Sequence, residues 1–146
     1  MSDVLKTYVR TVMQTDEIVS AGIVIVRKFE DGWRMLGLRR FSYFDMAKGH
    51  VESNEDNLES AIREAEEEAS ITELDFKWGY GNIIVPFRDK TVVMFLAETK
   101  QNGALKKNPV TGKWEHHGIQ WFSFDEALHA NFSRLAPAVE WAINII

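Results

Sequence analysis

The sequence predicts an α/β protein in which a mixed β-sheet is sandwiched between α-helices. Strand-like segments come first, a helix interrupts them, further strands follow and helices close the chain, an order that implies helices on both sides of the sheet. The run Thr91-Val92-Val93-Met94-Phe95-Leu96-Ala97 is almost wholly apolar, as expected of a strand covered on both faces. Residues 56–71 carry an apolar stripe at helical spacing beside an acidic flank, so one side of that helix packs and another is offered outward.

In chain order, Ile18–Arg27 is rich in Val and Ile, and Trp33–Leu38 follows the turn pair Asp31-Gly32; together they predict a hairpin. Asp45–Val51 is expected to be a short extended segment leading to the helix, with Tyr43 and Phe44 in a loop before it. Asp56 is the expected N-cap, and Glu59 three residues later completes a capping-box pattern. Leu58, Ala61, Ile62, Ala65 and Ala69 form the stripe for the core. Glu64, Glu67 and Glu68 fall at i, i+3 and i+4 on a neighbouring face, while Glu66 points away. Like charges at such spacing cost about 0.2–0.5 kcal/mol per pair in an isolated helix. Arg63 is the only base between Asn57 and Ile71, so hard divalent cations with oxygen ligands are the natural relief for this crowding.

Beyond the helix, strand-like pieces are expected around Phe76–Trp78 and Ile83–Val85, then at Thr91–Ala97. Gln101–Lys113 is polar and holds Gly103, Pro109 and Gly112, so it reads as a loop. Ile119–Phe122 is the last expected strand. Phe124–Asn131 and Leu135–Ile146 are expected to be helices, Pro137 being tolerated in a first turn.

The chain of 146 residues fits one domain over 1–146, preceded within it by an extension, 1–16, whose Val4, Tyr8, Val9 and Val12 suit an amphipathic helix. A net charge of −5 argues against general nucleic-acid binding, although bound metals can reverse the field locally. With no cysteine, disulfides, thiolate metal sites and cysteine nucleophiles are excluded. No membrane partner is expected, because no apolar run is long enough to span a bilayer and Met1–Glu17 lacks a signal-peptide pattern; a cytoplasmic location is the default. Oligomeric state is not legible.

Gly49, Glu55, Arg63-Glu64, Ala65, Glu67-Glu68 and Ile71 stand at the fixed positions of the NUDIX box, and the chain resembles the NUDIX hydrolases on these residues. Ser70 departs from the family's glycine at the helix end, where the left-handed conformation is expected. Lys48-Gly49-His50-Val51-Glu52, Glu55-Asp56 and Leu58-Glu59 are similar to the asymmetrical diadenosine tetraphosphate hydrolases, with Ala47 and Ser53-Asn54 in place of their Pro and Pro-Gly. Lys90-Thr91-Val92, Leu96-Ala97-Glu98 and Glu115-His116 ahead of Trp121 extend that likeness.

The resemblance implies the NUDIX fold and cleavage of a nucleoside diphosphate linkage by water attack on phosphorus. It implies Mg2+ or Mn2+, two or more ions, held by Glu64, Glu67 and Glu68 with the Gly49 carbonyl. Glu67 and Glu64 are the expected catalytic acids inside the box, and Glu115 outside it, with Glu98 the alternative. Glu55 and Arg63 are expected to pair and orient the loop against the helix. Lys48 and His50 are candidate phosphate contacts; Tyr43, Phe44 and Tyr80 are candidate stacking surfaces for a base, core packing being their other reading. Paired metal ligation by His116 and His117 is not expected, since neighbours on a strand point to opposite sides. A dinucleoside polyphosphate is the leading substrate. ADP-ribose, FAD, a nucleoside triphosphate or a 5′-triphosphate RNA end remain open, as does a non-catalytic nucleotide-binding module.

Overall fold

The computed structural model describes residues 18–146, and the helix expected from Val4, Tyr8, Val9 and Val12 lies outside them. β1 (Ile18–Phe29) and β2 (Gly32–Arg40) form the expected hairpin, with Val26 opposite Met35 and Phe29 opposite Gly32. Gly32 turns the chain at φ 128°, a conformation L side chains rarely adopt. β6 (Lys90–Glu98) runs parallel to β1, from Ile18 opposite Lys90 to Val26 opposite Glu98. β5 (Ile83–Phe87) pairs antiparallel with β6.

Since β6 occupies one edge of β1, the other edge takes two partners in turn. β2 joins it over Val26–Phe29, and β4 (Lys48–His50) over Ser20–Gly22. Gly22 allows this approach, because a Cβ there would lie 2.4 Å from the Ala47 carbonyl oxygen and 2.5 Å from the Lys48 Cβ. β3 (Tyr43–Asp45) and β7 (Gly118–Ser123) both pair antiparallel with β2.

Strand alternation divides the core between two faces of the sheet. Ala21, Ile23 and Ile25 of β1, with Val93, Phe95 and Ala97 of β6, are buried beneath α1 (Asn57–Ala69). Val24 and Val26, with Val92, Met94 and Leu96, are buried on the other face. There they meet α2 (Phe124–His129), a 3-10 turn (Ser133–Leu135) and α3 (Ala136–Ile145), which supply Ala127, Leu135, Ala138, Val139 and Ala142. The expected sandwich is therefore present, with β6 covered on both sides. Among the described residues no helix is long and apolar enough to cross a membrane.

Some expectations change. Tyr43 and Phe44 belong to β3 rather than a loop, because Arg39 and Arg40 of β2 pair with them. Phe76–Trp78 forms no strand; the one bridge there joins Asp75 to Glu98, and the chain then turns at Gly79, φ 95°. Ile62 is 39% exposed rather than part of the stripe, since α1 meets the sheet through Ala61, Ala65 and Ala69, all at 0% exposure, with Leu58 partly buried beside them. Asp56 caps α1 by accepting the Glu59 N–H at 2.8 Å, but the reciprocal capping box forms at α2 instead, between Ser123 and Glu126.

Ser70 does take the left-handed conformation, φ 57° and ψ 31°, and its N–H closes onto the Glu66 carbonyl at 3.0 Å. Its hydroxyl donates to the Ala104 carbonyl at 3.0 Å, tying the helix end to the following loop. The left-handed strain is about 1–2 kcal/mol and an exposed hydrogen bond offsets about 0.5–1.5 kcal/mol of it. Ser70→Ala keeps the strain and loses the bond, so it should lower unfolding stability by about 1 kcal/mol. Ser70→Gly should remain close to wild type or slightly above it. Urea unfolding of the two variants tests this, and an alanine variant as stable as the glycine one would refute the C-cap account.

Candidate active site

The acidic helix meets β4 through one close contact. A Cβ at Gly49 would lie 2.1 Å from Glu64 Oε1, so only glycine lets that carboxylate rest against the strand. Gly49 itself is fixed opposite Ala21, at the middle of the β1–β4 register. Arg63 then fastens the helix to the loop before it. Its guanidinium donates to both oxygens of Glu55 at 2.7 and 3.1 Å, to Glu64 Oε1 at 2.9 Å, to Glu67 Oε2 at 3.1 Å and to the His50 carbonyl at 3.1 Å. The Arg63 hydrogen bond, helped by the Glu52 N–H, holds the Glu55 carboxyl down at about 2. Its partners in turn push the guanidinium further toward the charged form, Glu55 foremost.

A cavity of about 540 Å³ opens in front of this helix. Lys48, Gly49, His50, Arg63, Glu64, Glu67, Glu68 and Glu115 all line it, so most of the residues singled out from the sequence meet at one cleft. Glu55 stands behind it as the Arg63 partner. Tyr43 and Phe44 line a smaller neighbouring cavity, where Phe44 also packs edge-on against Phe122, with centroids 4.7 Å apart. Tyr80 lines neither; it is 64% exposed and lies beside Phe76 at 5.3 Å. Glu98 is also elsewhere, with its carboxylate 3.5 Å from the Lys77 ammonium.

The floor of the cleft is formed by groups with no role assigned from the sequence. His116 is buried at 5% exposure, with Nδ1 3.7 Å from Glu68 Oε2 and Nε2 3.6 Å from Asp45 Oδ2. Both separations exceed a hydrogen bond, and neither Glu68 Oε2 nor His116 Nε2 has another partner among the described residues. His116 precedes β7 rather than lying in it, so strand alternation, the ground for not expecting a His116–His117 pair, does not govern where it points. Ser20 of β1 and Glu52 line it too. Arg40, Lys90, Lys106, Asn108, Pro109 and Arg134 complete the lining from β2, β6, the loop after β6 and the 3-10 turn. Nothing near these residues in sequence signals a shared cleft, because only the tertiary fold brings them together.

Charge burial explains the electrostatics. Burial pushes Glu68 well above the usual carboxylate range, and Glu64 and Asp45 add repulsion. Burial likewise raises Glu64, partly opposed by Glu68 and Arg63. Asp45 moves the other way: burial pushes it up, but facing His116, the Lys48 ammonium at 3.1 Å and the Met46 N–H at 2.9 Å together hold it down to about 2. An orphaned buried carboxylate oxygen among three acids suits a hard cation. Ligand atoms of Glu68, Glu115 and His116 also lie within 4.8 Å of one another. The donor set Glu68, Glu115 and His116 therefore fits a divalent ion.

Asp45 gives a pH prediction. A carboxyl held at about 2, against an ordinary 3.8, contributes stability that is complete above about pH 4 and is lost as pH falls toward 2. At 1.36 kcal/mol per unit the contribution is about 2 kcal/mol. Asp45→Asn should be less stable than wild type near neutrality, and the gap should narrow below pH 4. Urea midpoints from pH 7 to pH 2 measure it, and a gap independent of pH would remove Asp45 from the ion pair.

The NUDIX domain family matches residues 16–142 of this chain. The asymmetrical bis(5′-nucleosyl)-tetraphosphatase of Sus scrofa is 36% identical over 85 residues, which are 55% of this chain and 55% of that protein. That of Rattus norvegicus is 34% identical over 99 residues, 64% of this chain and 65% of the rat protein. The matched stretch thus spans between half and two thirds of these relatives. Among solved structures, a C. elegans Ap4A hydrolase binary complex superposes with a TM-score of 0.66 at 24% identity, covering 84% of this chain and 93% of that one. The NUDIX domain of Shewanella oneidensis NrtR complexed with ADP ribose gives 0.67 at 12% identity, covering 88% and 87%. These two likenesses show the fold. With the family pattern running from before β1 into α3 and the box residues gathered at one cleft, this chain belongs to the NUDIX domain family.

Proposed function

We propose that this chain is a metal-dependent pyrophosphohydrolase that cleaves a dinucleoside polyphosphate such as diadenosine tetraphosphate, giving ATP and AMP. The observation that carries the reading is the polarity of the cleft. Its acids, Glu52, Glu64, Glu67, Glu68 and Glu115, share the lining of one cavity of about 540 Å³ with the cations Arg40, Lys48, Arg63, Lys90, Lys106 and Arg134. Such a volume suits a nucleotide. Clustered acids suit divalent ions, and several cations in the same lining suit a phosphate chain longer than the ions alone neutralise. The tetraphosphatase relatives support the same substrate class.

Mg2+ or Mn2+, when bound, supplies water of lowered pKa and neutralises phosphate charge. The remaining work falls to side chains. Arg63 orients Glu64 and Glu67 by hydrogen bonds at 2.9 and 3.1 Å. Glu115 takes the proton of the attacking water; its Oε1 accepts a hydrogen bond from Asn108 Nδ2 at 2.6 Å, which fixes its aim. The new phosphorus–oxygen bond forms from that water, and the bridging bond breaks to release the nucleotide opposite. Lys48, steadied by Asp45 at 3.1 Å, contacts a non-bridging phosphate oxygen.

Incubation with magnesium and diadenosine tetraphosphate, ADP-ribose, FAD or ATP, followed by product chromatography, tests the substrate. Fastest conversion of the tetraphosphate to ATP and AMP is expected; faster cleavage of another compound would replace the substrate and keep the reaction. Glu67→Gln should lower kcat about 100-fold or more with the fold intact. Near-normal turnover with magnesium would overturn the metal assignment. Glu115→Gln should also cost about 100-fold or more, whereas Glu98→Gln should stay near wild type. The reverse order would make Glu98 the outside acid.

A further inference from the structure

The cleft holds more positive charge than its own acids engage. Arg63 is taken by Glu55, Glu64 and Glu67, and Lys48 by Asp45. Arg40, Lys90, Lys106 and Arg134 line the same cavity, and among the described residues none of them forms an ion pair. Arg134 both directly follows a left-handed residue and lies against an aromatic ring.

Arg134 sits in the 3-10 turn directly after Ser133, which takes φ 54°. That left-handed conformation is unfavourable by about 1–2 kcal/mol for a residue with a Cβ, so the turn is kept by other contacts. Asn131 Oδ1 accepts the Ser133 N–H at 3.1 Å, and the Asn131 carbonyl accepts the Phe44 N–H at 2.8 Å. The turn is thus fastened to β3. Beyond it, the Arg134 guanidinium stands 4.6 Å from the centre of the Phe87 ring, and Arg88 approaches the same ring at 5.5 Å. An aromatic contact holds a guanidinium while leaving its N–H donors free for an oxyanion, and this fork matches phosphate in a way an ammonium does not.

The position of Arg134 defines which part of a ligand it meets. It lines both the main cleft and the smaller cavity, together with Arg40 and Lys48. The smaller cavity contains no residue of α1, and its one carboxylate, Asp45, is paired with Lys48, so Arg134 stands where the cleft continues away from the acidic helix. At about 90 Å³ it is far below the roughly 300 Å³ at which pockets take drug-sized ligands, and it suits a phosphate group better than a nucleoside.

We propose that Arg134, braced by Phe87, is a specificity-determining residue that binds the phosphate farthest from the acidic helix, so that the site selects chains longer than a diphosphate. This inference rests on the reading of the cleft as a phosphoanhydride site. It is tested by calorimetric titration of the full chain, without added divalent ion, with inorganic tripolyphosphate and with pyrophosphate. Arg134→Ala should weaken tripolyphosphate binding about tenfold and leave pyrophosphate within about twofold, as expected for loss of one charge-assisted contact. Arg134→Lys and Phe87→Leu should fall between, because the first loses the fork and the second the brace; their urea midpoints monitor the fold. In turnover of diadenosine tetraphosphate, Arg134→Ala should raise KM with kcat little changed. Equal losses for both anions, or no loss for either, would overturn the assignment. If wild type cleaves no dinucleoside polyphosphate, the proposed function fails while the two-anion titration still decides the role of Arg134.

Discussion

The site depends on a single guanidinium. Arg63 reaches a loop acid, Glu55, two helix acids, Glu64 and Glu67, and the last carbonyl of β4 at once. Those groups come from three successive pieces of chain, so the fork fixes the pose of α1 relative to β4 as well as balancing charge. A lysine places one ammonium and has no planar fork with which to serve Glu55 through two nitrogens while meeting the others. The Glu64 carboxylate then has only one place to go, against the missing side chain of Gly49. Buried carboxylates without such a partner would be strongly unfavourable, which makes Arg63 a condition of the fold as well as of the chemistry.

Packing beneath the helix serves the same arrangement. Ala61, Ala65 and Ala69 are fully buried against β1 and β6, and their small size lets α1 lie close to the sheet. Larger residues there would add apolar burial but lift the acids away from β4. The helix therefore gives up part of its possible hydrophobic stabilisation to bring charge inward. That conflict between local stability and global arrangement is expected at a functional site. Glu68 shows it most sharply: it is deeply buried, repelled by Glu64 and faced by His116 beyond hydrogen-bond reach.

What could be read from the sequence was what is local. The hairpin, the doubly covered strand, the acidic helix and its N-cap all rest on periods of two or 3.6 residues or on adjacent capping residues. The left-handed Ser70 followed from its place in the box. What failed needed information from elsewhere in the chain. Phe44 had two readings, core or base platform; β3 pairs with β2 and sets its ring against Phe122 while Phe44 also lines the smaller cavity. Ile62 matched the helical period, but α1 meets the sheet along a narrower line than the period allows. His116 was weighed as a metal ligand only in a pair with His117, and Asp45 carried no local sign that His116 and Lys48 would converge on it.

The same contrast separates the acids of the cleft from most of its cations. Three of the five acids, Glu64, Glu67 and Glu68, lie within one helix, where spacing alone puts them on a face. Arg40, Lys90, Lys106 and Arg134 come from β2, β6, the loop after β6 and the 3-10 turn, and no short pattern can record their meeting. Under the proposed function, the demands of metal and scissile phosphate fall on one helix and the strand beneath it, which a short pattern can record. Substrate length is then a demand on the dispersed cations, which lie on several elements. The strained backbone before Arg134 and the aromatic contact beyond it put local structure there to the same use as Gly49 and Arg63 at the helix: to hold a charge where the fold alone would not leave it.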